Sequence, residues 1–220
     1  MLQRVAPPLP PASEPGTAEL TRELLLRATH ELLYDRGGAT VSISEICGRA
    51  GVNVAMVKYC FGSKDGLLDA LLERALRQLA SEMERLAASD LQPEAKLRRH
   101  VVGIVRNYVR YPYVNRLMAE RLLSSDPEAV SRISASFALP ARNWYGKLLA
   151  DGQRVEGWRP LDRTLFFFSV IGLCEFLFSA APLLEMAFDR ELDSELAERY
   201  GSHVADLILS GVAAHAQVAA

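Results

Sequence analysis

A chain of 220 residues, half of them hydrophobic and 24% charged, carries enough apolar material for one or two packed domains, which excludes a disordered chain. Its formal net charge of −2 excludes a partner recognised through overall basicity, so any nucleic-acid partner has to be argued from local features. Three widely spaced cysteines, Cys47, Cys60 and Cys174, with no CxxC pair, argue against a disulfide framework or a zinc site and fit a reducing cytoplasm.

Residues 1–16, MLQRVAPPLPPASEPG, hold five prolines and no apolar run of signal-peptide length, so they read as a disordered arm or as an arm that touches DNA. Beyond them the apolar periodicity is helical nearly throughout, with no sustained alternation and no hairpin signal, which predicts an all-α fold of about nine helices. Thr17 caps a first helix whose stripe runs through Leu24, Ala28 and Leu32 and which stops at Arg36-Gly-Gly. Ser42-Ile-Ser-Glu45 is a capping-box pattern, predicting a second helix from about Ser42 to Ala50, broken by Gly51. Asn53 caps a third helix of about two turns, which must end near Phe61-Gly62 because Ser63 caps the next.

That next helix is long, from Lys64 to about Ala87. Four more are expected: Pro93 to about Tyr111, Val114 to Ser124, Pro127 to about Asp151 with a kink at Pro140, and Leu161 to Ala181. A last one runs from Ser194 to about Ala213. The segment from Thr164 to Leu184 has the length of a membrane span, but Glu175 in its middle would cost roughly 2.5 to 3.5 kcal/mol on insertion, which favours a buried helix.

Two short helices joined by a glycine turn, the second about two turns long and followed at once by another break, follow the helix-turn-helix plan. In that plan the second helix enters the major groove. Ile46, Ala50, Val52, Val57 and Phe61 are then the inward residues, leaving Val54, Ala55, Lys58 and Tyr59 for the groove and its phosphate walls. Residues 1–66 hold seven Lys or Arg and seven Asp or Glu, so this head is net neutral; helix N-termini at Ser42 and Asn53 add amide donors without formal charge.

The stretch VSISEICGRAGVNVAMVKYCFGSKDGLLDALL, residues 41–72, resembles the TetR family of transcriptional regulators in the order and spacing of its helices and in both breaks. The resemblance implies a helix-turn-helix domain at 17–66 and a ligand-binding and dimerisation domain at 67–220. It implies Ser42 as a phosphate contact, Val54 and Ala55 facing bases, and Lys64 meeting the backbone. Lys58 and Tyr59 stand where the family often has two tyrosines, and Cys60 where it often has histidine; Lys58 either donates to a guanine edge or pairs with phosphate.

The resemblance further implies a homodimer, with Phe166, Val170, Phe178, Leu196, Tyr200, Val204, Leu207, Ile208 and Gly211 at its interface. It also implies a small-molecule pocket, for which Tyr108, Tyr111, Arg121, Trp144, Phe167, Glu175 and Phe178 are the candidates. Glu175, set among Phe and Leu, must be paired, protonated or beside a cavity. The expected partners are double-stranded operator DNA, a second copy and an unidentified, partly apolar effector, with repression or activation both open. No cofactor and no metal are expected. The four scattered histidines and the lack of GxSxG, HExxH or a glycine-rich phosphate loop argue against an enzyme. The competing reading is a helical interaction or membrane-associated module without DNA binding.

Overall fold

The computed structural model describes residues 17–37, 40–124 and 126–213; the expected N-terminal arm and the side chain of Thr17 lie outside them. The described residues are helical without a strand and divide into two compact units, one reaching to Gln78 and including Arg110–Ser134, the other formed by Leu79–Val109 and the chain from Ala135 onward.

The first unit begins with α1 (Thr17–Asp35), α2 (Ile43–Ala50) and α3 (Ala55–Phe61), followed by the start of α4 (Lys64–Ala87). Its interior on α1 is Leu25, Leu26, Ala28, Leu32 and Leu33, with Leu24 of the expected stripe only half-buried, and it is closed by Ile46 and Cys47 of α2, Val57 of α3, and Leu67, Leu71 and Leu72 of α4. Each such side chain contributes about 1.5–3 kcal/mol by leaving water, so three short helices become stable only as a set.

The helix bounds follow their caps. Ser42 accepts a hydrogen bond from the Glu45 amide at 3.3 Å, and the Glu45 carboxylate accepts one from the Ser42 amide at 2.8 Å, which is the capping box expected. Gly51 then adopts the left-handed conformation at φ 67, which stops α2 without the steric cost a side chain would bring.

Also in the first unit are α6 (Val114–Leu123) and α7 (Pro127–Ile133), reached across α5 (Pro93–Arg110). The first unit includes α4 as far as Gln78, and carboxylates of α4 hold α6 and α7. Asp69 accepts from Arg121 at 2.5 Å and from Arg132 at 3.2 Å, while Arg132 also pairs with Glu73 at 3.5 Å. On the side of α1, buried His30 bonds the Tyr113 hydroxyl at 2.8 Å and lies against the Tyr111 ring.

In the second unit the latter part of α4 and most of α5 are joined by α8 (Leu139–Glu156), α9 (Arg163–Ser179), α10 (Ala181–Phe188) and α11 (Ser194–Val212). The helix expected to run through Pro140 is instead interrupted before it by a π-helical turn at Ser134–Ala138. Pro140 falls in the first turn of α8, where its missing N–H costs no helical bond. The apolar segment expected as one helix to Ala181 breaks at Ala180 and bends by 61° into α10, which carries Pro182 in its first turn. Among the described residues no single helix is long and apolar enough to cross a membrane, and only that bent pair passes such a test together.

The core of this unit is aromatic. Trp144, Tyr145 and Phe166 pack around Leu97, Val101, Val105, Val170 and Cys174, with Val204, Ala205 and Ile208 of α11 closing it. His100 is buried in the same cluster, its Nε2 2.7 Å from the Tyr145 hydroxyl and its ring centroid 4.3 Å from that of Trp144. Burial lowers the His100 pKa from 6.5 to about 3, because a charged imidazole there has lost its water.

The sign of the pH dependence follows. The unfolded imidazole takes up a proton as pH falls through 6.5, whereas the folded one does so only near 3. Stability is therefore full above 6.5 and lost progressively on acidification, with a slope of at most about 1.4 kcal/mol per pH unit from this group. Thermal unfolding of the protein between pH 7 and pH 5 (a window of roughly two units in which carboxylates stay ionised) should show this slope, and His100→Gln should flatten it.

Candidate nucleic-acid interface

The reading helix α3 has seven residues and is held from three sides. Val57, 2% exposed, anchors its inner face against the α1 and α2 core. At its start the Asn53 side chain accepts from the Ala55 amide at 2.8 Å, so Asn53 caps as expected although the helix proper begins at Ala55. At its end Arg22 of α1 donates to the Cys60 carbonyl at 2.8 Å and lies 4.3 Å from the Phe61 ring centroid. A cation on the last carbonyls of a helix satisfies an orphan acceptor and opposes the negative end of the dipole.

A further restraint comes from the turn into α4. Gly62, at φ 75, closes α3 with its amide on the Lys58 carbonyl, and Ser63 caps α4 by accepting from the Gly66 amide at 3.0 Å. A Cβ at Gly66 would lie 2.2 Å from the Phe61 carbonyl oxygen. Only glycine permits that approach, so Gly66 sets how near α3 ends to α4. Sequence reading passed over Gly66 and Arg22: a glycine inside a helix and an arginine on its polar face look ordinary until the packing brings α3 against them.

On the outer side, Ala55, Lys58 and Tyr59 share one helical face with Val54 beside it, all exposed, Tyr59 at 75% and Val54 at 53%. Asn53 and Ser42 are exposed as well, and Lys64 is half-buried at the start of α4. The hydroxyl of Ser42 is already engaged with Glu45 at 2.6 Å and lies 3.1 Å from Ser44 Oγ, so a phosphate would share it.

The electrostatics explain how a neutral head presents a positive face. Five of its acids are engaged by arginines: Glu45 by Arg36 at 2.5 Å, Glu31 and Asp35 by Arg49 at 3.2 and 3.6 Å, Glu23 by Arg74 at 2.6 Å, and Asp65 by Arg121 at 3.2 Å. The hydrogen bond from Arg36, with those from Ser42, lowers the Glu45 pKa to about 2. Lys58 and Lys64 have no ion-pair partner among the described residues, and their charge is left for an outside anion.

The expected effector residues are divided between the two units. Tyr111 and Arg121 belong to the first unit, where one packs on His30 and the other is bound to Asp69. Tyr108 and Phe178 pack against each other in the second unit with ring centroids 5.2 Å apart, Phe167 lies against Tyr145 at 5.9 Å, and Trp144 stands beside His100. Glu175 accepts from Ser179 one turn on, and partial burial raises its pKa.

The expected dimer residues lie on α9 and α11 and differ in exposure within one protomer. Phe166, Val170, Val204 and Ile208 are at most 8% exposed and belong to the core of their own unit. Phe178, Leu196, Tyr200 and Gly211 are half-buried, with the Tyr200 hydroxyl donating to the Leu173 carbonyl; Leu207, 51% exposed, is the one that faces out. The outward side of α9 instead carries Leu165, Phe168, Gly172, Leu173 and Phe176, exposed at helical spacing. The α9 sequence is apolar all round, so the sequence could not tell which face meets the core.

The contact at Gly66 yields a direct check. Gly66→Ala should destabilise the protein by about 1–3 kcal/mol, the usual range for overpacking, because the Phe61 carbonyl must be displaced. Gly48→Ala, in α2 with nothing within 4 Å of its added methyl, should instead stabilise by about 0.5–1 kcal/mol. Chemical denaturation of the two variants beside the parent measures both signs.

Residues 25–71 match a family profile described as bacterial regulatory proteins of the tetR family, and residues 90–217 match one described as the tetracyclin repressor-like C-terminal domain. Curated relatives include the HTH-type transcriptional regulator BetI of Stenotrophomonas maltophilia, 35% identical over 89 residues, which are 40% of this chain and 45% of that protein. A BetI of Burkholderia thailandensis is 36% identical over 90 residues, 40% of this chain and 46% of that one. The chain thus spans a little under half the length of these two relatives. Among solved structures, the TetR-family regulator PfmR of Thermus thermophilus superposes with a TM-score of 0.66 at 21% identity, over 86% of this chain and 99% of that one. The regulator FadR of Bacillus subtilis, solved with stearoyl-CoA, gives 0.64 at 18% identity, over 87% and 99%. With one profile on the reading head and another over more than half of its length, the chain belongs to the TetR family of transcriptional regulators.

Proposed function

We propose that this protein is a homodimeric, sequence-specific DNA-binding regulator acting in the cytoplasm, a repressor released from a palindromic operator by a small, partly apolar effector. Regulators of its family bind DNA through the helix-turn-helix head. The observation that carries the reading here is the outer face of α3: Val54, Ala55, Lys58 and Tyr59 stand exposed while five acids of the head are engaged elsewhere. Lys58 and Tyr59 reach base edges or groove walls, and Ser42, Asn53 and Lys64 meet phosphates with their side chains or nearby amides.

Dimerisation is supported by the outward stripe of α9 together with Leu207 of α11, since a run of exposed Leu and Phe of this kind marks an interaction surface. A partly apolar effector accords with the stearoyl-CoA bound by a structural neighbour. Effector and operator must then weaken each other by the same factor.

Selection from a random duplex pool tests the reading. The protein should enrich a pseudo-palindrome, and Lys58→Ala should cost about 1–3 kcal/mol per half-site with relaxed preference at one position if Lys58 reads a base, or weaken all sequences evenly if it holds phosphate. Enrichment of no sequence, or of a site without two-fold symmetry, would contradict the homodimeric reading head.

A further inference from the structure

The second unit carries an open groove of about 190 Å³ between the end of α4, the start of α5 and the outer side of α8. Its floor, the buried part of the lining, is apolar, with Pro93, Trp144 and Leu148, and its walls carry three cations, Lys96, Lys147 and Arg154. One carboxylate, Asp151, also lines it and is held by Arg154 at 3.0 Å. Lys147 has no hydrogen-bond or ion-pair partner among the described residues, and Lys96 donates to the Ala87 carbonyl at 3.0 Å. The groove therefore joins an apolar floor to an excess of positive charge of which the nearest protein anion neutralises only one part.

That combination selects a ligand class. At ~30 Å³ per water the space holds on the order of six waters, which suits a small molecule and is too little for a peptide. An apolar floor with an indole ring favours an aromatic body, and two ammonium groups without an ion-pair carboxylate favour a carboxylate over a neutral or cationic head. The start of α5 does not supply the recognition, since its Glu94 amide already donates to Glu156 at 3.1 Å.

We propose that this groove is a binding site for a small aromatic carboxylate, gripped by Lys147 and Lys96 with its ring on Trp144. As an assignment of the effector it rests on the regulator reading; as a binding site it does not. The site touches the interior of its unit, because the Trp144 ring lies against that of His100, tilted by 47°, and Lys96 holds the last turn of α4.

The test is a titration of the full chain, without DNA, followed by the NMR signals of the two indole N–H groups, that of Trp144 being assigned through Trp144→Phe. Phenylacetate should shift the Trp144 signal saturably, with 2-phenylethanol and 2-phenylethylamine at least about tenfold weaker, the loss expected when a charge-assisted bond is missing. Lys147→Glu should weaken phenylacetate by a similar factor, while Arg190→Glu, an equal change of charge at an exposed residue outside the groove, should leave it unchanged. Equal binding of the acid and the alcohol, equal effects of the two charge reversals, or no saturable shift up to the solubility of phenylacetate would overturn the assignment. Since no DNA is present, any of these results leaves the operator reading where duplex selection puts it.

Discussion

A helix of seven residues cannot hold itself in water, because nucleation fixes several residues before the first hydrogen bonds repay it. The reading helix is therefore only as rigid as its seat. Its inner face has one deeply buried side chain, Val57; its last carbonyls are met by Arg22; and its approach to α4 is set by the absence of a side chain at Gly66. These three contacts come from three different elements, so the outward residues of α3 are placed by the whole head. Removing side-chain bulk inside and keeping it outside is what leaves Val54, Ala55, Lys58 and Tyr59 free to face a groove.

Charge is arranged on the same plan. Overall neutrality argues against DNA only if the charges are spread evenly, and here Arg36 and Arg49 are paired with the carboxylates of Glu45, Glu31 and Asp35. Such exposed pairs add little stability, roughly 0–1 kcal/mol each. Their consequence is positional: the lysines at 58 and 64 remain uncompensated, and a dimer would present each of them twice. Asp69, bound by both Arg121 and Arg132, extends the network to α6 and α7 and so makes these helices part of the head's own unit.

Much of this was legible in the residues, and the limits have physical causes. The bounds of α2 and α4 were readable because caps are local: Ser42 with Glu45, Gly51, and Ser63 all act within one turn. The exposed face of α3 was readable because an inward Val57 fixes the helix's rotation. The π-helical turn before Pro140 and the 61° bend after Ala180 were not, since both answer to packing and not to the local sequence. The tie from α4 to α6 and α7 was also hidden, because ion pairs between Asp69 and residues more than fifty positions away leave no trace in periodicity. The rotation of α9 was hidden for a simpler reason. In α9 nearly every position is apolar, so periodicity identifies the helix but carries no information about which side turns to the core, and Phe166 and Val170 proved to be the inward ones.

The central claim is that two copies of this head read one duplex, each through the exposed face of α3. Hydroxyl-radical footprinting on a selected duplex tests it most directly. The account predicts two protected patches on one side of the DNA, centred about 34–36 Å apart or at a multiple of a helical turn. A single patch no wider than one head, with no symmetric partner at any protein concentration, would contradict it.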